Sequence, residues 1–329
     1  MIYIKNSSTD PYFNLAFEEY LLRYVDLDDT IFSLWINKPS VIIGKHQNTF
    51  KEINHKFVSE HNILVARRIT GGGTVYHDFG NLNFTLITKV DHFDIMDIKA
   101  YIIPIVQVLN KMGINAQLSE RNSITIDGKK ISGTAEAFAD KKLLCHGTLL
   151  FDTDINILNE ALKVEEEKIE SKSVKSVPGE VTNIKDFLGK NYDILTFENK
   201  ILAQISSDVP FREYSLNEND IKNIEKLAKE KFSTWDWIYG ESPPFIIRNT
   251  KKFPYGYITF SAEIERGGIV KKISFEGDII NSSNISYIEE LLRGKKFERN
   301  TFKKILKNIK ISKYFENITL EELLSLLFY

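Results

Sequence analysis

Three consecutive glycines follow a pair of arginines and run into a β-prone segment: Arg67-Arg68-Ile69-Thr70-Gly71-Gly72-Gly73-Thr74-Val75-Tyr76-His77-Asp78. Glycine loses more conformational freedom on folding than any other residue, so a run of three is costly and is kept where the backbone must approach a ligand closely. Unshielded N–H groups in such a run cradle phosphate or carboxylate oxygens, and arginine adds a planar, permanently charged donor. The stretch therefore points to anion binding on a loop that feeds a strand. No Gly-Lys-Ser or Gly-Lys-Thr follows, so it is not a Walker A loop. The spacing Gly-x-Gly-x-x-Gly is not met either, which excludes the dinucleotide fingerprint.

The surrounding pattern is that of an α+β protein. Asp10-Pro11 reads as a cap with proline at the first helical position, and Phe13, Phe17, Tyr20, Leu21 and Tyr24 recur at helical spacing. Strand-like runs follow at 30–36, 40–43 and 63–67, and residues 82–88 alternate apolar with polar, which predicts a mainly antiparallel or mixed sheet with flanking helices. Residues 98–111, from Ile98, read as a helix. Asp127-Gly128 is a strong hairpin signal that puts Lys130 beside a tight turn. A second hairpin is expected over 133–151 around Asp140, and an irregular loop over 173–181 holding Pro178-Gly179. Residues 215–218 read as a capping box opening a helix that turns Ile221, Ile224, Leu227 and Ala228 inward. Pro243-Pro244 and Lys251-Lys252-Phe253-Pro254 read as a linker, followed by a hairpin around Gly267-Gly268 and helices from about Asn284, Asn300 and Thr319. A boundary near Phe245 is expected, giving a large domain of 1–245 and a small α+β domain of 246–329.

A chain of 329 residues that is 43% hydrophobic and 12% aromatic can bury a sizeable core. No stretch approaches the roughly 20 apolar residues needed to span a bilayer, and the start lacks the apolar core of a signal peptide, so a cytoplasmic protein with no membrane partner is expected. The formal charge is −2, with lysines spread along the chain, which gives no basis for a nucleic-acid partner. The basic run 303–313 is interleaved with Ile305, Leu306, Ile309 and Ile311 and reads as a solvated helix face. A single cysteine, Cys145, excludes an internal disulfide and any multi-cysteine metal cage.

The glycine stretch, followed by Gly80-Asn81-Leu82-Asn83-Phe84-Thr85, resembles the signature of the lipoate-protein ligases, within the biotin/lipoate protein ligase superfamily. Asp10-Pro11-Tyr12-Phe13-Asn14-Leu15-Ala16-Phe17-Glu18-Glu19 is similar to that family's opening helix, and Val41-Ile42-Ile43-Gly44-Lys45-His46-Gln47-Asn48 to its second block. Gly128-Lys129-Lys130-Ile131-Ser132-Gly133-Thr134-Ala135 resembles its lysine motif and His146-Gly147-Thr148-Leu149-Leu150 the strand after it. Trp235-Asp236-Trp237 with Gly240 is similar to the end of its large domain. The resemblance implies a large domain of the fold shared by biotin ligases and class II aminoacyl-tRNA synthetases, and a small C-terminal domain that moves between adenylation and transfer. It implies ATP, Mg²⁺ and lipoate as ligands, and as partners the lipoyl carrier domains of the glycine-cleavage H protein or of 2-oxoacid dehydrogenase E2 subunits. It also assigns the catalytic lysine to Lys130 and substrate contact to Arg68. Gly72, Gly73, Thr74, Val75 and Tyr76, partly through backbone groups, are to hold the adenylate, with Arg68, Gly73, His77, Lys130, Gly147 and Thr148 around lipoate. Metal ligands are not assigned: many members read Arg-Asn-Asp where this chain has Arg121-Asn122-Ser123, so a carboxylate near the nucleotide is missing, and Asp127 is the candidate to compensate for it.

The chemistry supports Lys130 independently. Attack of a carboxylate on an α-phosphate brings two anions together, so fixed positive charge is needed at phosphorus and at the bridging oxygen. No covalent enzyme intermediate is required, in keeping with the lack of an evident Ser-His or Cys-His pair. His77 and His146 flank the pocket as ligand donors or as buried structural histidines. Trp35, Trp235 and Trp237 read as core or interdomain packing, and Phe32, Leu34 and Val75 as linings of an acyl tunnel. Three alternatives stand beside the ligase: an octanoyl- or lipoyl-transferase working without ATP through Cys145, a non-catalytic lipoate-binding regulator, and a biotin ligase without a DNA-binding segment. A monomer is expected.

Overall fold

Alternation along a few strands decides the architecture. In the computed structural model, residues 1–90, 99–120, 122–164, 168–176, 179–188, 192–281 and 284–329 are described. Ile98, Arg121 and Pro178 lie outside them. The chain divides into two compact units, one of 1–45, 62–162 and 176–234, the other of 46–61, 163–175 and 235–329.

In the first unit, strands β1 (Ile2–Tyr3), β2 (Ile31–Ile36), β6 (Asn81–Lys89), β10 (Thr134–Ala139) and β11 (Lys142–Leu150), with the short strand Arg212–Glu213, form a six-stranded mixed sheet. Its order is β10-β11-β6-β2-β1 and then Arg212–Glu213 at the edge. Pairing is antiparallel from β10 to β2 and parallel beyond. The hairpin joining β10 to β11 turns at Asp140 and Lys141, at φ 51° and 58°, the pair of left-handed residues that a two-residue primed turn requires. Helix α1 (Pro11–Tyr24) starts where expected: Asp10 accepts from the Tyr12 and Phe13 amides, and Pro11 fills the first turn. A second, three-stranded sheet has the order β4 (Leu64–Arg67), β3 (Ser40–Ile43), β5 (Val75–His77). A third consists of β7 (Ala116–Leu118), β8 (Ile124–Ile126) and β9 (Lys129–Ser132).

The two faces of the six-stranded sheet are unlike. Phe32, Leu34, Leu82, Phe84, Leu86, Cys145 and Leu149 point to one side, where they meet Ile102, Ile105 and Leu109 of α2 (Lys99–Lys111) and Phe197 and Ile201 of α3 (Ile194–Asp208) in one apolar core. Because side chains alternate with period two, the intervening residues must face the other way. These are Ser33, Trp35, Asn81, Asn83, Thr85, His146 and Thr148, all buried and mostly polar.

The capping box expected at 215–218 forms two residues later. Asn217 caps helix α4 (Glu218–Leu227) and pairs with Asp220, because the Asn217 side chain reaches the Asn219 and Asp220 amides while Asp220 returns to the Asn217 amide.

The second unit has an antiparallel sheet of Ile169–Ser171, Phe245–Phe253, Gly256–Glu265 and Ile269–Gly277. Its inward residues, among them Phe245, Ile258 and Phe260, pack with Phe297, Phe302 and Leu323 of the C-terminal helical region. Lys251-Lys252-Phe253, expected as linker, lies inside the strand, since Phe253 is buried in this core and the Lys251 ammonium donates to Ser325 Oγ at 2.9 Å. The unit begins at Trp235 and draws in earlier chain: the Phe50 ring packs on Tyr239, Phe245 and Phe297 with centroids at 5.1, 5.0 and 5.5 Å. No described helix is long and apolar enough to cross a membrane.

Candidate active site

Burying seven mostly polar side chains on one sheet face is unfavourable unless each finds a partner. Helix α1 supplies a partner to two of them, Thr85 and His146, through Glu18. Its Asn14 and Glu18, four residues apart on the inward side, are 0% and 1% exposed. Glu18 accepts from Thr85 Oγ1 at 2.6 Å and lies 2.9 Å from His146 Nδ1 through both carboxylate oxygens. Trp35 Nε1 donates to Thr85 Oγ1 at 2.8 Å, and His146 Nε2 lies 2.9 Å from Thr70 Oγ1. A connected polar network thus runs from the centre of the sheet to the start of the glycine loop.

Arg68 ends that network. Its Nε donates to Thr70 Oγ1 at 2.8 Å, Nη1 to the Ile42 carbonyl at 3.1 Å, and Nη2 to the carbonyls of Gly71 at 2.5 Å and Gly73 at 2.8 Å. Burial, opposed by Glu18 and reinforced by Arg67, lowers its pKa to about 10, so it remains a cation at neutral pH. Gly72 sits at φ +86°, and a Cβ there would come within 3.0 Å of Arg68 Nη2 and 3.8 Å of Ala135 Cβ. The loop therefore lies tight against the start of β10. The Thr74 amide donates to Ser176 Oγ at 2.9 Å, and a Cβ on Gly73 would meet Ser176 at 3.3 Å.

Lys130 arrives from the neighbouring hairpin. Asp127 and Gly128, at φ 49° and 78°, make the two-residue turn between β8 and β9. The Lys130 backbone is clamped on both sides, its amide to the Glu180 carbonyl at 2.8 Å and its carbonyl by the Thr182 amide at 3.1 Å. Its ammonium rests against Gly133, where an added Cβ would lie 3.1 Å from Nζ. Gly133 N in turn donates to Thr148 Oγ1 at 3.1 Å. Burial, and then the like charge of Arg68, hold the Lys130 pKa below its ordinary value. Two cations, a glycine loop and the Thr148 hydroxyl thus converge, which is what an anionic ligand requires.

The other expected residues fall variously. His77 lies on the face of the three-stranded sheet shared with Ser40 and Val75, with its ring 6.1 Å from that of Trp35 and its Nδ1 3.0 Å from Asn37 Nδ2. Its Nε2 is buried without a hydrogen-bond partner. Burial first, then the neighbouring Arg68 charge, pushes its pKa down to about 3, so the ring is neutral. Alternation turns the Tyr76 side chain to the opposite face, where burial and then Asp78 and Asp154 raise its pKa, which leaves its backbone for the loop. Gly147 stands on the apolar face, where a Cβ would be 2.5 Å from the Phe84 ring, so this glycine answers a packing constraint. Trp35, read as packing, points into the polar network, whereas Phe32 and Leu34, read as tunnel lining, point into the apolar core. Asn122 is left-handed at φ 57° and its carbonyl accepts from Thr134 Oγ1, while the Ser123 amide donates to Ser119 Oγ. Among the described residues no group of three or more His, Cys, Asp or Glu side chains is placed to hold a metal ion.

Cys145 belongs to the apolar core and is 1% exposed. Burial, then the carboxylates of Glu136 and Glu18, raise its pKa to about 12, so it is not a thiolate at neutral pH. Sequence reading missed Glu18, Thr70, Thr85 and Ser176. Only Asn14 and Glu18 left a signal, as polar residues at i, i+4 on the helix side that also carries Leu15, Leu21 and Leu22.

Residues 10–206 match the lipoyl protein ligase A/B catalytic domain, and residues 242–327 match the bacterial lipoate protein ligase C-terminus. A lipoate-protein ligase of Bacillus subtilis is 41% identical over 334 residues, covering 100% of both chains. Among solved structures, P. falciparum LipL1 in complex with lipoate aligns at a TM-score of 0.62 and 25% identity over 98% of this chain and 97% of that one. Lipoate-protein ligase A bound with ATP aligns at a TM-score of 0.61 and 28% identity over 73% of this chain and 98% of that one.

Proposed function

The chain belongs to the lipoyl protein ligase A/B family, and from that premise we propose that it activates lipoate with MgATP to lipoyl-AMP and pyrophosphate, then transfers the lipoyl group to a lysine of a lipoyl carrier domain. The observation that carries this reading is the half-buried Lys130 ammonium, beside Gly133, lying close enough to the buried Arg68 guanidinium on the glycine loop for the two charges to repel. An isolated pair of like charges is unfavourable there, and a bound polyanion removes the penalty.

In this mechanism the lipoate carboxylate attacks the α-phosphate, and the bond from phosphorus to the departing pyrophosphate breaks. Lys130 supplies fixed positive charge to the pentacoordinate phosphorus and the bridging oxygen. The backbone of Gly72, Gly73, Thr74, Val75 and Tyr76 holds the adenylate. His77 and Thr148, with Arg68, line the acyl side, and the Gly147 backbone belongs to the same strand. The carrier's ε-amine then attacks the mixed anhydride and AMP leaves, with no bond to the enzyme at any stage. Mg²⁺ enters as part of the nucleotide substrate, held chiefly by phosphate oxygens and water, as its preference for hard oxygen ligands favours.

The carriers are glycine-cleavage H protein or 2-oxoacid dehydrogenase E2 lipoyl domains, and the protein works as a cytoplasmic monomer. Residues 246–329 serve as an accessory domain that moves between adenylation and transfer. The test is pyrophosphate release from MgATP with and without lipoate in wild type and Lys130→Ala. Lipoate-dependent release that falls on the order of 10²-fold in the variant supports the reading, and wild-type release by Lys130→Ala removes Lys130 from the mechanism.

A further inference from the structure

We propose that Glu18, His146 and Thr70 are positioning residues that orient Arg68, and through it the amide groups of the glycine loop. This rests on the reading above, in which those amides hold the adenylate. The direction of each proton in the network follows from chemistry. An indole nitrogen only donates, so Trp35 gives its proton to Thr85 Oγ1, and the Thr85 hydroxyl must spend its own on Glu18, 2.6 Å away. A carboxylate only accepts, so His146 carries its proton on Nδ1, facing Glu18. The lone pair on Nε2 then receives the Thr70 hydroxyl proton at 2.9 Å, which leaves the Thr70 oxygen lone pairs for Arg68 Nε–H at 2.8 Å. With the opposite tautomer, Thr70 would face two donors and its own proton would have no acceptor in a residue that is 0% exposed.

The consequence reaches the loop through peptide geometry. A trans peptide is planar, with its carbonyl and amide pointing in opposite directions. Arg68 Nη2 draws in the carbonyls of Gly71 and Gly73, which belong to the same peptide planes as the amides of Gly72 and Thr74. Those two amides are therefore turned away from the guanidinium. The Thr74 amide indeed donates to an oxygen on that outer side, Ser176 Oγ. The chain of cause thus runs from the Glu18 carboxylate through His146, Thr70 and Arg68 to the direction of two backbone donors. Each of the three side chains acts through another group, with no contact to substrate needed.

The test pairs Thr70→Val, which removes the hydroxyl, with Thr70→Ser, which keeps it, in lipoate-dependent pyrophosphate release by the full chain. The expected result is a kcat roughly 10- to 100-fold lower in Thr70→Val, the scale of one misplaced electrostatic donor, with KM for lipoate within about 3-fold. Thr70→Ser is expected within about 3-fold of wild type. Equal kcat in Thr70→Val and wild type overturns the proposal, as does an equal loss in both variants. A second reading needs no variant: ¹⁵N NMR of the wild type should show His146 protonated on Nδ1, and protonation on Nε2 overturns the relay. Failure of the wild type to release pyrophosphate with lipoate would contradict the ligase reading, whereas the NMR result bears on the relay alone.

Discussion

The three glycines of the loop should answer to alanine in three different ways. Gly71 has no atom within 4 Å of an added Cβ and needs no left-handed backbone. Alanine there should leave the fold intact and add about 0.4–1 kcal/mol by restricting the unfolded chain. Gly72 sits at φ +86°, and its added Cβ would lie 3.0 Å from Arg68 Nη2. The backbone term costs about 1–2 kcal/mol for an L-residue. Moving Nη2 weakens a charged hydrogen bond to Gly71 or Gly73, a loss of roughly 1.5–3 kcal/mol. Gly72→Ala should therefore fall about 3 kcal/mol or more below Gly71→Ala. Gly73→Ala needs only a shift of Ser176, 3.3 Å away, and should lie between the two. Urea unfolding monitored by tryptophan fluorescence gives the three values. If Gly72→Ala were as stable as Gly71→Ala within about 0.5 kcal/mol, the argument that Arg68 and the loop brace each other would be refuted.

Gly133→Ala should displace the Lys130 ammonium, 3.1 Å from the new Cβ, and lower kcat for pyrophosphate release by roughly 10-fold or more while circular dichroism stays unchanged. Cys145→Ala should keep full ligase turnover, since the thiol is buried in the apolar core; a collapse of turnover with the fold retained would argue for a thioester. His77 gives a pH signature. Its folded pKa of about 3 lies below the ordinary 6.5, so the unfolded chain binds more protons between those values and stability is lost as pH falls below 6.5. By pH 5 this amounts to about 2 kcal/mol, which His77→Gln should lack when urea unfolding is compared at pH 7 and pH 5.

Much of this was legible in the sequence because it rests on local chemistry. The Asp10-Pro11 helix start, the Asp127-Gly128 turn and the 133–151 hairpin depend on residues next to one another, and each formed as read. Arg68 and the glycine loop, adjacent in sequence, are likewise adjacent in the structure, where the guanidinium bonds the Gly71 and Gly73 carbonyls. Glu18 and Thr85 were not legible, because a polar residue in a helix or strand declares itself only when both faces of the sheet are known to be buried, and Thr70, in the bend before the glycines, gains its partner only when the fold brings His146 beside it. Which face of the sheet Trp35 and Leu34 each take turns on a single step of alternation that sequence alone could not orient. The core of the second unit takes in residues that sequence order hides: Phe50 and Ile169 join it from far upstream, and Lys251-Lys252, polar enough to read as linker, sit in a strand whose neighbours are buried.

The measurement closest to the central claim is pyrophosphate release with lipoate and MgATP, run alongside intact-mass analysis of purified lipoyl carrier domains. The account predicts release that requires lipoate and a carrier mass gain equal to one lipoyl group. Acyl exchange between carriers that proceeds without ATP and vanishes in Cys145→Ala would contradict it.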